Sequence, residues 1–313
     1  MSRMNRISVG QTVAFAYRFT FGHIGTVIGL IWIPLLVFCI GQFFFMNYYV
    51  KTILAVGTGA SPAALGPLLL SLIGFLLTAL LVSALISAAV TRQAMGLRTG
   101  PAIVYFSFGT AEFNLFVSLI AVGLVLIVVT IGTAILVRVL LMAANSAIKA
   151  GQLPAQQGNL ILLLAQDVGQ LILLGVLGFV GARLTFVLAP VTISEGRIDL
   201  IRAWTLTKGN FWRIFAIGAA VLLPIAVVGG MGEVAILGPA YFAEQLAPAT
   251  DQAAATARAM MQLQTMLAHE PELLGLGLIL GPFIYGLMYS AGAFAYRQLT
   301  ASAPAALAPN GGV

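Results

Sequence analysis

Ionisable side chains are scarce in this chain. Charged residues make up 8 % of its 313 positions, against about 25 % in a soluble domain. A water-soluble fold of this size could not cover its surface with so few charges, which excludes an aqueous globule. Cysteine occurs once, as Cys39, so no disulfide framework or thiolate metal site can be built. Cys39 falls within an apolar run and reads as a small core-filling residue. The two histidines, His23 and His269, lie far apart. There is no phosphate loop, nucleophile elbow, zincin motif or Cys/His metal spacing. The expectation is a protein that is not an enzyme and needs no cofactor or metal. The net charge of +6 comes without a basic patch interleaved with aromatics, so a nucleic-acid partner is not expected.

What the chain does have is apolar length. Hydrophobic residues make up 60 % and the mean hydropathy is +1.05. Six runs, at Ile24–Met46, Leu65–Val90, Leu115–Leu141, Leu160–Leu188, Ile214–Leu237 and Leu273–Tyr296, are each long enough to cross a hydrocarbon core about 30 Å thick as a helix. The fold class is therefore all-α, a polytopic transmembrane helical bundle. The fourth run is too short for two crossings and reads as one long, tilted helix. Residues 1–300 form a single transmembrane domain, and 301–313 a disordered tail rich in alanine and proline. The segment before the first run reads as an uncleaved lead, since that run is too long for a signal peptide.

The basic residues supply an orientation. Of the 15 lysines and arginines, eleven fall on the side of the N-terminus, and only Lys51, Arg138, Lys149 and Arg258 fall on the other. Lysine and arginine accumulate on the cytoplasmic side, so both termini are expected in the cytoplasm of a cell with this protein in its inner membrane. The partners expected are the lipid bilayer, anionic lipids, and a second copy or another membrane protein.

The segments that precede the odd-numbered spans resemble one another. Ala16-Tyr17-Arg18-Phe19-Thr20-Phe21-Gly22 precedes span 1, and Ala203-Trp204-Thr205-Leu206-Thr207-Lys208-Gly209-Asn210 precedes span 5. Alanine, aromatic, threonine and glycine recur in register, and Tyr105-Phe106-Ser107-Phe108-Gly109 is a looser copy before span 3. The even spans end on small residues and an arginine: Arg92, Arg183 and Arg297. This pattern predicts three copies of one unit, an interfacial helix followed by a hairpin. The glycine after the threonine would end the interfacial helix through a positive φ, and Asn210 would cap the next helix. Residues 251–269 read as an amphipathic helix on the outer surface that stops at Pro271.

The stretch from Ala182-Arg183-Leu184 through Glu195-Gly196-Arg197 to Ala203-Trp204-Thr205-Leu206-Thr207-Lys208-Gly209-Asn210-Phe211-Trp212, with the ending Ala295-Tyr296-Arg297-Gln298-Leu299, resembles a bacterial group. That group is the glycerophosphoryl diester phosphodiesterase membrane domain and its uncharacterised relatives. The resemblance implies a bacterial inner-membrane helical bundle. It does not imply the diesterase activity, which in such proteins belongs to a separate soluble domain for which this chain has no counterpart.

Intramembrane ionisable groups are costly and point to function by default. Arg138 near the outer end of span 3 and Asp167 near the start of span 4 could pair in a hairpin and form an ion site with Gln166 and Gln170. The competing reading is a structural clamp, or two residues that snorkel to the headgroups. Arg183, Arg197, Arg202, Lys208 and Arg213, with Trp204 and Trp212, read as lipid-facing anchors at the inner face. Glu112 is expected to form a solvated pair with Arg98 or Arg92. Small residues on span 2 (Ala79, Ser83, Ser87), span 4 (Gly175, Gly178, Gly181) and span 6 (Gly277, Gly281) would let helices approach closely. Pro34, Pro224 and Pro282 would kink spans 1, 5 and 6 and free nearby carbonyls. The leading functional expectation is a non-catalytic envelope scaffold or assembly partner. The alternative is a small-solute or lipid transporter that uses the kinked spans and the Arg138/Asp167 region.

Overall fold

A computed structural model describes residues 6–57, 65–98, 108–150, 155–246 and 252–301. Among these residues all regular structure is helical: α1 (Val9–Gly22), α2 (Ile24–Gly57), α3 (Leu65–Ala94), α4 (Thr110–Lys149), α5 (Ala155–Thr185), α6 (Leu188–Glu195), α7 (Leu200–Leu206), α8 (Phe211–Leu237), α9 (Pro239–Leu246), α10 (Gln252–Ala268) and α11 (Glu270–Thr300). Six segments are long and apolar enough to cross a membrane: most of α2, α3 and α4, the α5–α6 pair, α8 and α11. The chain is thus a multi-pass membrane protein with an all-α fold, as its apolar runs require. The looser repeat copy at 105–107 and the tail beyond 301 lie outside the described residues.

Helices α2, α4 and α8 begin on the face where α3, α5 and α11 end, here termed the near face. Hydrogen bonds across the chain fix this arrangement. Ser8 N–H donates to Gln298 Oε1, Arg297 to the Ala94 carbonyl, and Asn114 to the Gly196 carbonyl. The packed core lies in the same half. Ala84, Ala88, Leu115, Leu184, Leu188, Ile214, Ile217, Leu287 and Ala291 form one buried cluster. A second cluster joins Val27, Leu30, Ile31 and Leu35 to Ile86, Val90 and Ala293. Far from this face, large apolar side chains on α4 and α5 are exposed among the described residues.

Helix α1 departs from the expected interfacial element. Ile7 N–H donates to Asn210 Oδ1 at 3.1 Å, and ten residues on, Tyr17 Oη donates to the Ala220 carbonyl at 3.0 Å. Equal steps on both chains mean that α1 runs parallel to the first part of α8 instead of lying flat. Phe15 stacks on Phe294 and Phe21 meets Phe283, so α1 is antiparallel to α11. Thr12, Ala16, Phe19 and Thr20 are buried in this three-helix contact. The tie at Ala220 has a covalent cause. Pro224 lies inside α8 and has no N–H to offer the carbonyl four residues earlier, which is that of Ala220. The Tyr17 hydroxyl takes its place. Tyr17→Phe should therefore lower stability by about 1 kcal/mol. Unfolding in mixed micelles would measure the loss, and an unchanged midpoint would remove this role.

The repeat also differs in backbone conformation. Gly209 adopts φ +77° after α7, as expected for a glycine that stops an interfacial helix. Gly22 does not share that positive φ, and α1 meets α2 through a single bend at His23 (φ −127°). Asn210 makes no side-chain cap to α8. Its Oδ1 holds Ile7 N–H instead, because the start of α1 is packed beside it.

The fourth run is one helix, α5, over nearly all its length, and a break falls only at its near-face end. It breaks after Thr185 and resumes at Leu188. The reason is Pro190, which suits the first turn of α6, where no intrahelical donor is required. A continuous helix would need Pro190 N–H to serve the Phe186 carbonyl. The freed Phe186 carbonyl presses on α11 at Gly292, where an added Cβ would overlap it. The expected small-residue packing is likewise redistributed. Gly281 takes Leu35, but Gly175, Gly178, Gly181 and Gly277 face open space. Close approach falls instead to Gly169 against Val137, Gly232 against Leu276, and Gly286 against Thr20.

Candidate functional site

Two polar constellations stand out against the apolar bundle. The first is the near face, where each arginine that ends an even span reaches another repeat unit. Arg92 Nη1 lies 2.6 Å from Glu112 Oε1 and joins α3 to α4. Glu112 Oε2 also accepts from Gly109 N–H at 3.0 Å, so one carboxylate caps α4 and pairs with α3. Arg183 Nη2 donates to the Trp204 carbonyl at 2.6 Å and lies over the Trp204 ring, 3.7 Å from its centroid. Thr207 Oγ1 returns a hydrogen bond to the Arg183 carbonyl, which locks α5 to α7. Arg297 closes the set on Ala94, at the end of α3.

This geometry revises two expectations. Arg183 is only 7 % exposed and is turned into the protein, not toward lipid. Burial is tolerable because the aromatic face and the carbonyl replace water. Glu112 is fully buried and not a solvated surface partner, because it is held between Arg92 on α3 and the Gly109 N–H at the start of α4. The other predicted anchors are distributed as follows. Arg197 is exposed and pairs with Glu195 and Asp199. Arg202 pairs with Glu195 at 3.1 Å, and its N–H is capped by Asp199. Lys208 is exposed in the turn after α7. Trp212 is 75 % exposed, and Trp204 is half-buried beneath Arg183. Arg213 Nη1 donates to the Ile7 carbonyl at 2.7 Å and so ties α8 to the start of α1.

The pair proposed from sequence is not brought together by any observed contact. Arg138 is exposed on the far half of α4. Asp167 is on α5, and its side chain lies outside the described residues. Residues beside them do meet, since the Val137 side chain packs on Gly169.

The second constellation is a cavity that the sequence reading overlooked. Pro34 lies inside α2 and Pro282 inside α11. The two prolines are adjacent, because Leu35 packs on Gly281. Beyond them a cavity of about 270 Å³ lies between the far halves of α2 and α11 and α10. Its polar lining includes Gln42 and Glu270. Glu270 is 5 % exposed. Asn47 Nδ2 donates to its Oε2 at 3.2 Å, whereas Oε1 has no hydrogen-bond partner. A buried carboxylate with one bare oxygen is costly, and no arginine or lysine offsets it among the ion pairs of the described residues. The available sequence signal was an acidic residue at the first position of an apolar span.

Among the described residues no three His, Cys, Asp or Glu side chains converge as a metal site would require. No family model, curated protein or solved structure matches this chain.

Proposed function

We propose that this multi-pass membrane protein is a non-catalytic assembly partner of a bacterial inner membrane, with both termini in the cytoplasm. One observation carries the reading. Among the described side chains in the far half of the α4–α5 hairpin, α4 is partly covered at Thr133, Val137, Leu141 and Ile148, and α5 at Gly169 and Leu173. Around these positions Ile131, Ile135, Leu136, Val139, Leu140, Leu171 and Leu174 are exposed, and Gly175 and Gly178 leave space for a close neighbour. Small residues beside apolar ones are how membrane helices associate. The exposed Arg197, Lys208 and Trp212 would meet anionic headgroups at the near face. The resemblance to the phosphodiesterase membrane-domain group implies a bacterial inner-membrane bundle and is in keeping with this placement.

Single cysteines in a Cys39→Ser background test this reading in native membranes. At Ile135 or Leu171, a membrane-permeant bismaleimide should give a discrete, heavier adduct, while Phe215 on α8 should give none. Monomer alone at both hairpin positions would overturn the assembly reading. In the same set, position 149 should react with an impermeant maleimide applied outside and position 205 only after permeabilisation. The reverse result would invert the topology.

A second reading, small-solute transport, is favoured by the adjacent prolines inside α2 and α11 and the cavity beyond them, since proline-marked spans flank the substrate sites of many transporters.

A further inference from the structure

We propose that the cavity between α2, α10 and α11 is a binding site for a small organic ammonium ion, with Glu270 as its counter-ion. The first observation is the bare Oε1 of Glu270, buried at the cavity wall. Asn47 satisfies the other oxygen and holds the carboxylate in place. An ammonium N–H donor would supply both the missing hydrogen bond and the missing positive charge. The second observation is the remaining lining. Phe38, Leu274, Ile284 and Tyr285 form apolar and aromatic walls, which suit a ligand with a hydrophobic body and a single charged end. Aromatic rings also attract ammonium groups.

Volume and ligand count define the class further. About 150 Å³ is enough for benzene in an apolar protein cavity, so about 270 Å³ takes an aromatic or short alkyl amine. A hard metal cation is a poor fit. Calcium takes six to eight oxygens (roughly), and here one carboxylate and the amides of Asn47 and Gln42 are the nearby candidates. The site is independent of whatever covers the α4–α5 hairpin, and it requires binding only, not passage across the membrane.

The probe is benzylammonium, titrated calorimetrically at neutral pH into the full-length chain in lipid nanodiscs. Saturable binding is expected, and Glu270→Gln should weaken it at least tenfold while preserving the side chain's shape. Neutral benzyl alcohol should bind at least tenfold more weakly than the amine to the unaltered chain and show no dependence on residue 270. Gly277→Leu provides a check that leaves the carboxylate in place. Gly277 lines this cavity and a second one against α8, and an added Cβ there meets no atom within 4 Å, so the larger side chain should narrow both and weaken binding without lowering the melting temperature. Equal affinity in Glu270→Gln, equal affinity for the alcohol, or undiminished binding in Gly277→Leu would each overturn the proposal. So would the absence of saturable binding, or displacement of the amine by equimolar sodium, which would assign the site to an inorganic cation.

Discussion

Replacing Glu112 with alanine should destabilise the folded chain by about 3 kcal/mol or more. Removing one partner of a buried ion pair usually costs about 3–5 kcal/mol, because the surviving charge keeps its desolvation penalty without its counter-ion. Glu112 is fully buried and carries two duties, the 2.6 Å pair with Arg92 and the hydrogen bond from Gly109 N–H. The second duty places a negative group at the positive end of α4, which adds a few tenths of a kcal/mol or more. The Arg92 side chain is one-quarter exposed and can regain some hydration, which moves the expectation to the lower part of the range. Glu112→Gln should fall between, since an amide oxygen can still accept from Gly109 but leaves Arg92 unbalanced. A double-mutant cycle with Arg92→Leu, followed by denaturant unfolding in mixed micelles, separates the pair from the cap. A coupling energy near zero would return the pair to the solvated role first expected for it.

The same cluster illustrates which parts of this protein can be read from its sequence. The six spans were legible because the bilayer imposes one length and one composition on every crossing. The recurrence of Arg92, Arg183 and Arg297 at the ends of alternate spans was also visible, and the three residues do play related parts. Their direction was not legible. An arginine beside a span looks the same whether it turns to headgroups or, as Arg183 does, to a tryptophan and a carbonyl 21 residues away in sequence. Proline positions were plain, but the groups that receive the freed carbonyls were not. Tyr17 and Ala220 are 203 residues apart, and no local periodicity links them. Pro190 passed unremarked because hydropathy alone runs smoothly across the break between α5 and α6. Glu270 was not legible either, since nothing local tells a carboxylate under α10 from one in water. The glycine pattern misled for a related reason. Spacing on a helix marks a face, and only the tertiary arrangement decides whether that face meets a neighbour.

That distinction gives the sharpest test of the packing. Gly292→Ala should be strongly destabilising, near or above the upper end of the about 1–3 kcal/mol typical of overpacking. The obstacle is the Phe186 carbonyl, which occupies the position a methyl group would take. Backbone faces backbone at this contact, so no side-chain rotation can relieve it. Retreat of the carbonyl would pull on the turn before Pro190, where α6 is held by the buried Val187, Leu188 and Val191. Two other glycines calibrate the effect. At Gly286 the added methyl would meet the Thr20 side chain, which can rotate, so Gly286→Ala should cost less. At Gly175 it meets nothing within 4 Å, so Gly175→Ala should gain the roughly 0.5–1 kcal/mol by which alanine exceeds glycine in a helix. The expected order of melting temperatures is therefore Gly175→Ala, unaltered chain, Gly286→Ala, Gly292→Ala, from highest to lowest. If Gly292→Ala melted with the unaltered chain, the turn between α5 and α6 could not rest on α11, and the near-face core built around that contact would have to be redrawn.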